Sequence, residues 1–332
     1  MSKKQKEVII ANPIYDTVFK NMMTTREGTN KEVASYFVGT ILDEEIIDIE
    51  LLPQEYTYYS KSKRKKKGEN EVDILTLIRL DFVATIHTKS GRHKKVLIEI
   101  QKSKKPTDLL RFRTYLGEQY KRMDTVKVKN NNIEQSLPIV VIYMLGFALP
   151  EIEAIAVKVD RTYVDMIHGE RIENKSSFIE SLTHDGYFIQ IPRISGDANI
   201  DWEHSSELRK MLSLFEQDYF VEENYLKKYP YTTTNKNIKA MVDTLAQIAA
   251  DPKVRRAMQE ENWAAQNEIL WENQVETLTE KIGTLSSEIG TLSNENRSLS
   301  NEIGTLSSEN LKLRQLLQQA GINVSLLDKQ KN

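Results

Sequence analysis

The chain has 332 residues, no cysteine and a formal net charge of −2. The length exceeds one average domain, so a globular core with an appendage is expected, and the lack of thiols excludes disulfides, cysteine zinc sites and thiol nucleophiles. No apolar run approaches the roughly 20 residues that cross a bilayer, and MSKKQKEVII lacks the apolar stretch of a secretory signal, so a cytoplasmic protein without a membrane partner is expected.

The charge is unevenly spread. Residues 1–135 hold 26 Lys and Arg against 19 Asp and Glu, and the remainder holds 20 against 29. Three basic runs lie in the first part: KSKRKKK at 61–67, with Lys63, Arg64 and Lys65, RHKK at 92–95, and KSKK at 102–105, with Lys102 and Lys104. Such runs contact phosphates without reading sequence and make binding steeply salt-dependent. A solvated loop is an equally ordinary reading of the first run.

In chain order, residues 13–42 read as helical with a break near Gly28, and Val18, Met22, Val33, Phe37 and Ile41 face a core. Residues 46–52 and the longer run 72–87 read as strands. LDFVATIH at 80–87 and KVLIEIQK at 95–102 read as two strands joined by a turn at Ser90-Gly91. Glu99 and Gln101 are two apart and share one face of their strand, while Ile98 and Ile100 take the other. Folding about residues 90 and 91 sets position 81 opposite position 100. Asp81 is then a near or diagonal neighbour of Glu99 and Gln101, within one residue of register. Two carboxylates this close repel unless a cation lies between them, and hard oxygen ligands completed by water suit Mg²⁺. Strand carboxylates more often face solvent, so three polar residues do not by themselves make a site.

Residues 107–123 read as an amphipathic helix carrying Leu109, Leu110, Phe112, Leu116 and Tyr120. LPIVVIYML at 137–145 is a continuous apolar run, as for a strand covered on both faces. YVDMIH and YFIQIPRI read as further strands that extend the sheet or cover it, and His168, His184 and His204 are too dispersed to suggest a metal. Helices alternating with strands argue for an α/β or α+β core.

The C-terminal part is a coiled coil by pattern. Asp251 is placed as an N-cap and Pro252 as the first helical residue. From Val275 a heptad places Val275, Ile282, Ile289, Asn296, Ile303, Asn310 and Leu317 at a. Six leucines, at 278, 285, 292, 299, 306 and 313, occupy d. β-Branched residues at a, leucine at d and a buried Asn favour a parallel homodimer. Gly283, Gly290 and Gly304 fall on the outer face, each costing about 1 kcal/mol against alanine. Serine fills most e positions, so few interhelical ion pairs form and the helix is marginal.

The ordered set NPIYDTVFKNMM, LDF, IEIQ and LLRFRTYLGEQY resembles the PD-(D/E)XK nuclease superfamily, in its recombination-promoting nuclease and putative transposase branch. The resemblance covers residues 12–145 and, more loosely, the next hundred. It implies a restriction-endonuclease-like mixed sheet flanked by helices, and Mg²⁺-dependent DNA cleavage with Mn²⁺ as a substitute and no small-molecule cofactor. It assigns the metal to Asp81, Glu99 and the carbonyl of Ile100. Gln101 stands where the superfamily's lysine usually does. Asp16 and Lys20 match a D-x-x-F-K element of the first helix, and Arg113 and Tyr115 match an R-x-Y element after the strand pair. A glutamine amide orients a water but carries no charge. Lys102 points to the opposite strand face, and Lys20, on the same helical face as Asp16, is a candidate to hold the phosphate.

The expected organisation is a nuclease-like core at 1–145, an extension packing on it at 146–250, a helical linker at 251–274, a parallel dimeric coiled coil at 275–320 and a flexible tail at 321–332. Three functions compete: a Mg²⁺-dependent DNA endonuclease dimerised through the tail, a DNA-binding module with weak or lost cleavage, and an oligomeric adaptor working through the coiled coil. No phosphate-binding loop, dinucleotide fingerprint or H-E-x-x-H is present.

Overall fold

The computed structural model of the protein describes residues 8–25, 28–52, 55–61, 73–79, 82–101, 106–128, 131–195, 204–222 and 225–322. They form a mixed α/β arrangement followed by a long C-terminal helix, and the chain divides into two units, Met1–Glu261 and Asn262–Asn332.

A six-stranded mixed sheet organises the first unit. Its order across the sheet is Ala156–Val159, His184–Gln190, Ile139–Leu145, His93–Gln101, Phe82–Thr88 and Ile46–Leu51. The three middle strands, from His184, Ile139 and His93, run parallel to one another. The other neighbours pair antiparallel. The strand His184–Gln190 comes from the segment expected to be an extension, so that segment contributes to the sheet itself.

Alternation along the strands divides the sheet into two faces. On one, Phe82, Ala84, Val96, Ile98, Val140, Ile142 and Ile189 are buried with the helices Asp16–Met23, Lys31–Leu42 and Lys236–Ala250. Phe19 is its hub, meeting Phe37 edge-on at 5.7 Å and Phe82 at 6.4 Å. Burying each such ring contributes on the order of 1.5–3 kcal/mol. Val18, Met22, Val33, Phe37 and Ile41 are all buried, as their helical spacing requires. Between the first two helices, Thr24–Thr25 and Gly28–Thr29 form a short antiparallel pair, and Gly28 takes a φ of 131°.

On the opposite face, Val83, Leu97, Ile139 and Val141 lie under Phe112 and Tyr115 of the third long helix, Pro106–Tyr120. This helix packs on the sheet through Phe112, Tyr115 and Leu116, and Gln119, one turn on, is also buried. Leu109 and Leu110 stay 57% and 61% exposed. The helix therefore buries Gln119 rather than these leucines.

Two local devices matter for stability. At the end of the second helix, Asp43 adopts a left-handed φ of 53°, and its N–H bonds to the Gly39 carbonyl. Beyond the outer strand, Arg161 ties the chain together by ion pairs to Asp185 at 2.7 Å and Glu180 at 2.8 Å, with a further bond to Thr183.

The last helix runs Pro252–Gln319, with the Lys253 N–H bonded to the Asp251 carboxylate at 2.8 Å. Its start belongs to the first unit, where Met258 is buried in the larger core. In the second unit the d leucines from Leu278 to Leu313 lie exposed along one stripe of the single chain. No helix among the described residues is long and apolar enough to cross a membrane.

Candidate functional site

The strand pair forms with the turn where the sequence puts it. Gly91, at φ 80°, donates its N–H to the Thr88 carbonyl at 2.9 Å. The register differs by one residue from the expected one: Phe82 faces Ile98 and Val83 faces Leu97. The last paired residues are His87 and His93, so five residues, 88–92, connect the strands and the turn centres on Ser90 rather than between 90 and 91; the sum of paired positions falls by one. Asp81 lies outside the described residues, as do Lys63, Arg64, Lys65, Lys102 and Lys104.

Glu99 and Gln101 share the Leu97 face, both buried at the end of their strand. Register across the sheet sets Tyr143 beside Glu99 and Phe188 beside Tyr143. The Tyr143 ring stacks on Phe188 at 4.9 Å and tilts against Phe112 at 4.4 Å. Burial, and then the negative charge of Glu99, push the Tyr143 hydroxyl far above its usual range. Tyr143 is therefore a neutral wall behind the carboxylate.

The cation at this carboxylate comes from the helix. Arg111 reaches from Pro106–Tyr120 to put Nη2 3.0 Å from Glu99 Oε1; the Glu99 side chain is 3% exposed and that of Arg111 49%. Arg111 and Tyr115 are four apart on one helical stripe, so packing of Tyr115 against the sheet aims Arg111 at the strand end. Arg113, the residue matched to the R-x-Y element, is exposed and sits about 200° around the helix from Arg111. The R-x-Y spacing selects Arg113, whereas the residue that reaches Glu99 is Arg111, four residues before Tyr115.

Asp16 and Lys20 form a separate group. They pair with each other at 2.8 Å, and Val18, Phe19 and Met22 of their helix pack in the core on the other sheet face. The Asp16 and Thr17 N–H groups donate to the two carboxylate oxygens of Glu261, at 2.9 and 3.4 Å. An anion at a helix N-terminus is stabilised by the unpaired N–H groups and the helix dipole. Asp16 and Lys20 make no described contact with Glu99.

Among the described residues no three His, Cys, Asp or Glu side chains are grouped so as to hold a metal ion. Of the expected ligands, Glu99 and the Ile100 carbonyl are described and Asp81 is not. The buried Glu99 oxygen is paired with the Arg111 guanidinium at hydrogen-bond distance, so a metal ion at Glu99 would have to displace or share that partner.

Four residues back on the same strand face, Lys95 and Asp124 form a buried ion pair at 2.5 Å. They line a cavity of about 320 Å³ with Glu50, Thr85, Gln119 and Arg122. No family model, curated protein or solved structure matches this chain.

Proposed function

We propose that the protein is a Mg²⁺-dependent DNA endonuclease of the recombination-promoting nuclease type, acting at Glu99. The observation that carries the reading is the buried Glu99 carboxylate beside Gln101 at a strand end, with a guanidinium on it and a tyrosine wall behind it. The basic surplus of residues 1–135 supports a phosphate-bearing substrate. The ordered motifs of the nuclease superfamily, with Asp81 before Glu99, support the reaction class.

Glu99, the Ile100 carbonyl and Asp81 would hold the ion, which supplies a bound water of lowered pKa and neutralises charge on the phosphate. The chain's own residues do the rest. Gln101 orients the attacking water through its amide. Tyr143 and Phe112 exclude bulk solvent behind Glu99 and strengthen each polar contact there. The heptad seam pairs two copies as a parallel homodimer, which presents two such sites to DNA.

The test is nicking of supercoiled plasmid by the purified full chain in Mg²⁺, in Mn²⁺ and in chelator, beside Glu99→Ala. Metal-dependent nicking that is lost in the variant supports the reading. Plasmid binding without nicking by either protein favours a DNA-binding module on a nuclease-like site, for which the glutamine at 101 is the specific reason.

A further inference from the structure

We propose that Arg111 is the phosphate-contacting cation of this site and that Glu99 withholds it from DNA until the carboxylate is neutralised. The inference rests on the DNA reading above and adds a residue and a control to it.

The position where a strand lysine would supply charge holds Gln101. The cation described at the site is instead the Arg111 guanidinium, 3.0 Å from Glu99 Oε1. A carboxylate this buried carries a large desolvation penalty and needs a positive partner. With the Glu99 side chain 3% exposed and that of Arg111 49% exposed, the pair has a dry side and a wet side, and a phosphate arrives from the wet side. A guanidinium carries five N–H donors in a planar fork that suits a phosphate bidentately. The fork is also well placed: Phe112 and Tyr115, buried on the sheet, hold its helix, and sites carried on rigid elements keep their geometry.

Pairing makes the local charge of Glu99 and Arg111 zero, so the resting site attracts a phosphate weakly. Neutralising Glu99 by a cation or by substitution removes this partner from Arg111 and raises the charge at the strand end by one. Arg111 then turns from the carboxylate to the phosphate, and substrate affinity becomes coupled to the charge state of Glu99.

The coupling is measured without metal, so it does not depend on cleavage. A labelled duplex is titrated with the full chain in chelator over a salt series, for the wild type, Glu99→Gln, Arg111→Gln and the double variant. Glu99→Gln tightens binding about tenfold, as expected for freeing one charge-assisted phosphate contact. It also steepens the log–log salt slope by about 0.9. In the Arg111→Gln background the same change gains less than about twofold, and Arg111→Lys, which keeps the charge but not the fork, falls between. Thermal melts identify any variant that has lost its fold; Arg111→Lys, which keeps a cation on Glu99, then carries the comparison. An equal gain in both backgrounds means that Glu99 merely repels DNA and overturns the role of Arg111, leaving the nuclease reading intact. Absence of salt-dependent duplex binding by the wild type, with or without Mg²⁺, overturns both readings. Nicking by a wild type whose Glu99→Gln variant binds no tighter overturns this inference alone.

Discussion

The ammonium of Lys227 donates to the main-chain carbonyl of Glu216 inside the protein. The carboxylate of Glu216 accepts from the Tyr231 hydroxyl at 2.8 Å. Burial pulls the Lys227 ammonium down to about 7, against the opposing pull of Glu216 and Asp218. The unfolded chain holds this proton up to its ordinary value of 10.5, so between pH 7 and 10.5 the unfolded state binds more protons than the folded one. Stability therefore rises with pH across that window, with a limiting slope of about 1.4 kcal/mol per unit from this group. Below pH 7 the penalty is fully present. Thermal melts from pH 6.5 to 9 check this: Lys227→Met flattens the rise, and a variant with the wild-type slope would refute the assignment.

The Lys95–Asp124 pair is buried on both sides. Asp124→Ala strands an ammonium in the interior and is expected to cost about 3–5 kcal/mol. Replacing both, as Lys95→Met with Asp124→Leu, removes both charges and recovers most of that loss. Chemical denaturation of the two variants decides it; a double variant as unstable as the single would show that the pair itself holds the strand Asp124–Val128 in place.

Gly39 is a steric requirement. A Cβ there would stand 2.7 Å from the Glu44 main-chain carbonyl, and backbone cannot yield as a side chain can. Gly39→Ala is expected to destabilise by about 1–3 kcal/mol as an overpacking change, although alanine is the better helix former. A raised denaturation midpoint would show that the loop after the helix relaxes freely.

Gly283, Gly290 and Gly304 are the converse case, with nothing within 4 Å of an added Cβ. Changing all three to alanine is expected to stabilise the tail helix by about 1 kcal/mol per site. Circular dichroism of the full chain shows this as an upward shift of the tail's transition; no shift would mean that residual helix in the unfolded tail offsets the gain.

The sequence made the strand pair legible because its turn chemistry and its alternation agree, and the first two helices legible because each carries one apolar stripe. The third helix was misread in detail. Of the residues the pattern names, Phe112 and Leu116 pack against the sheet, whereas Leu109 and Leu110 are exposed and Tyr115 and Gln119 are buried in their place. The register slipped by one because the loop length, which a local pattern does not determine, enters the pairing sum. Arg111 and Glu261 were missed for a shared reason. Their partners, Glu99 and the N–H groups of Asp16 and Thr17, lie 12 residues away in one case and 244 or more in the other. Such partnerships arise from tertiary placement.

The spacing of two asparagines in the tail has its own consequence. Asn296 and Asn310 stand fourteen residues apart within almost identical heptads. When two parallel helices slide by seven residues, each amide meets an apolar Ile or Leu and loses its partner. A slide of fourteen brings Asn296 of one helix against Asn310 of the other and restores one amide pair. The stagger then leaves an overhang at each end that a further chain can join. The rarity of polar a positions thus limits which misalignments are tolerated, and the one best tolerated is a step of two heptads, the step by which such tails would string into a fibre.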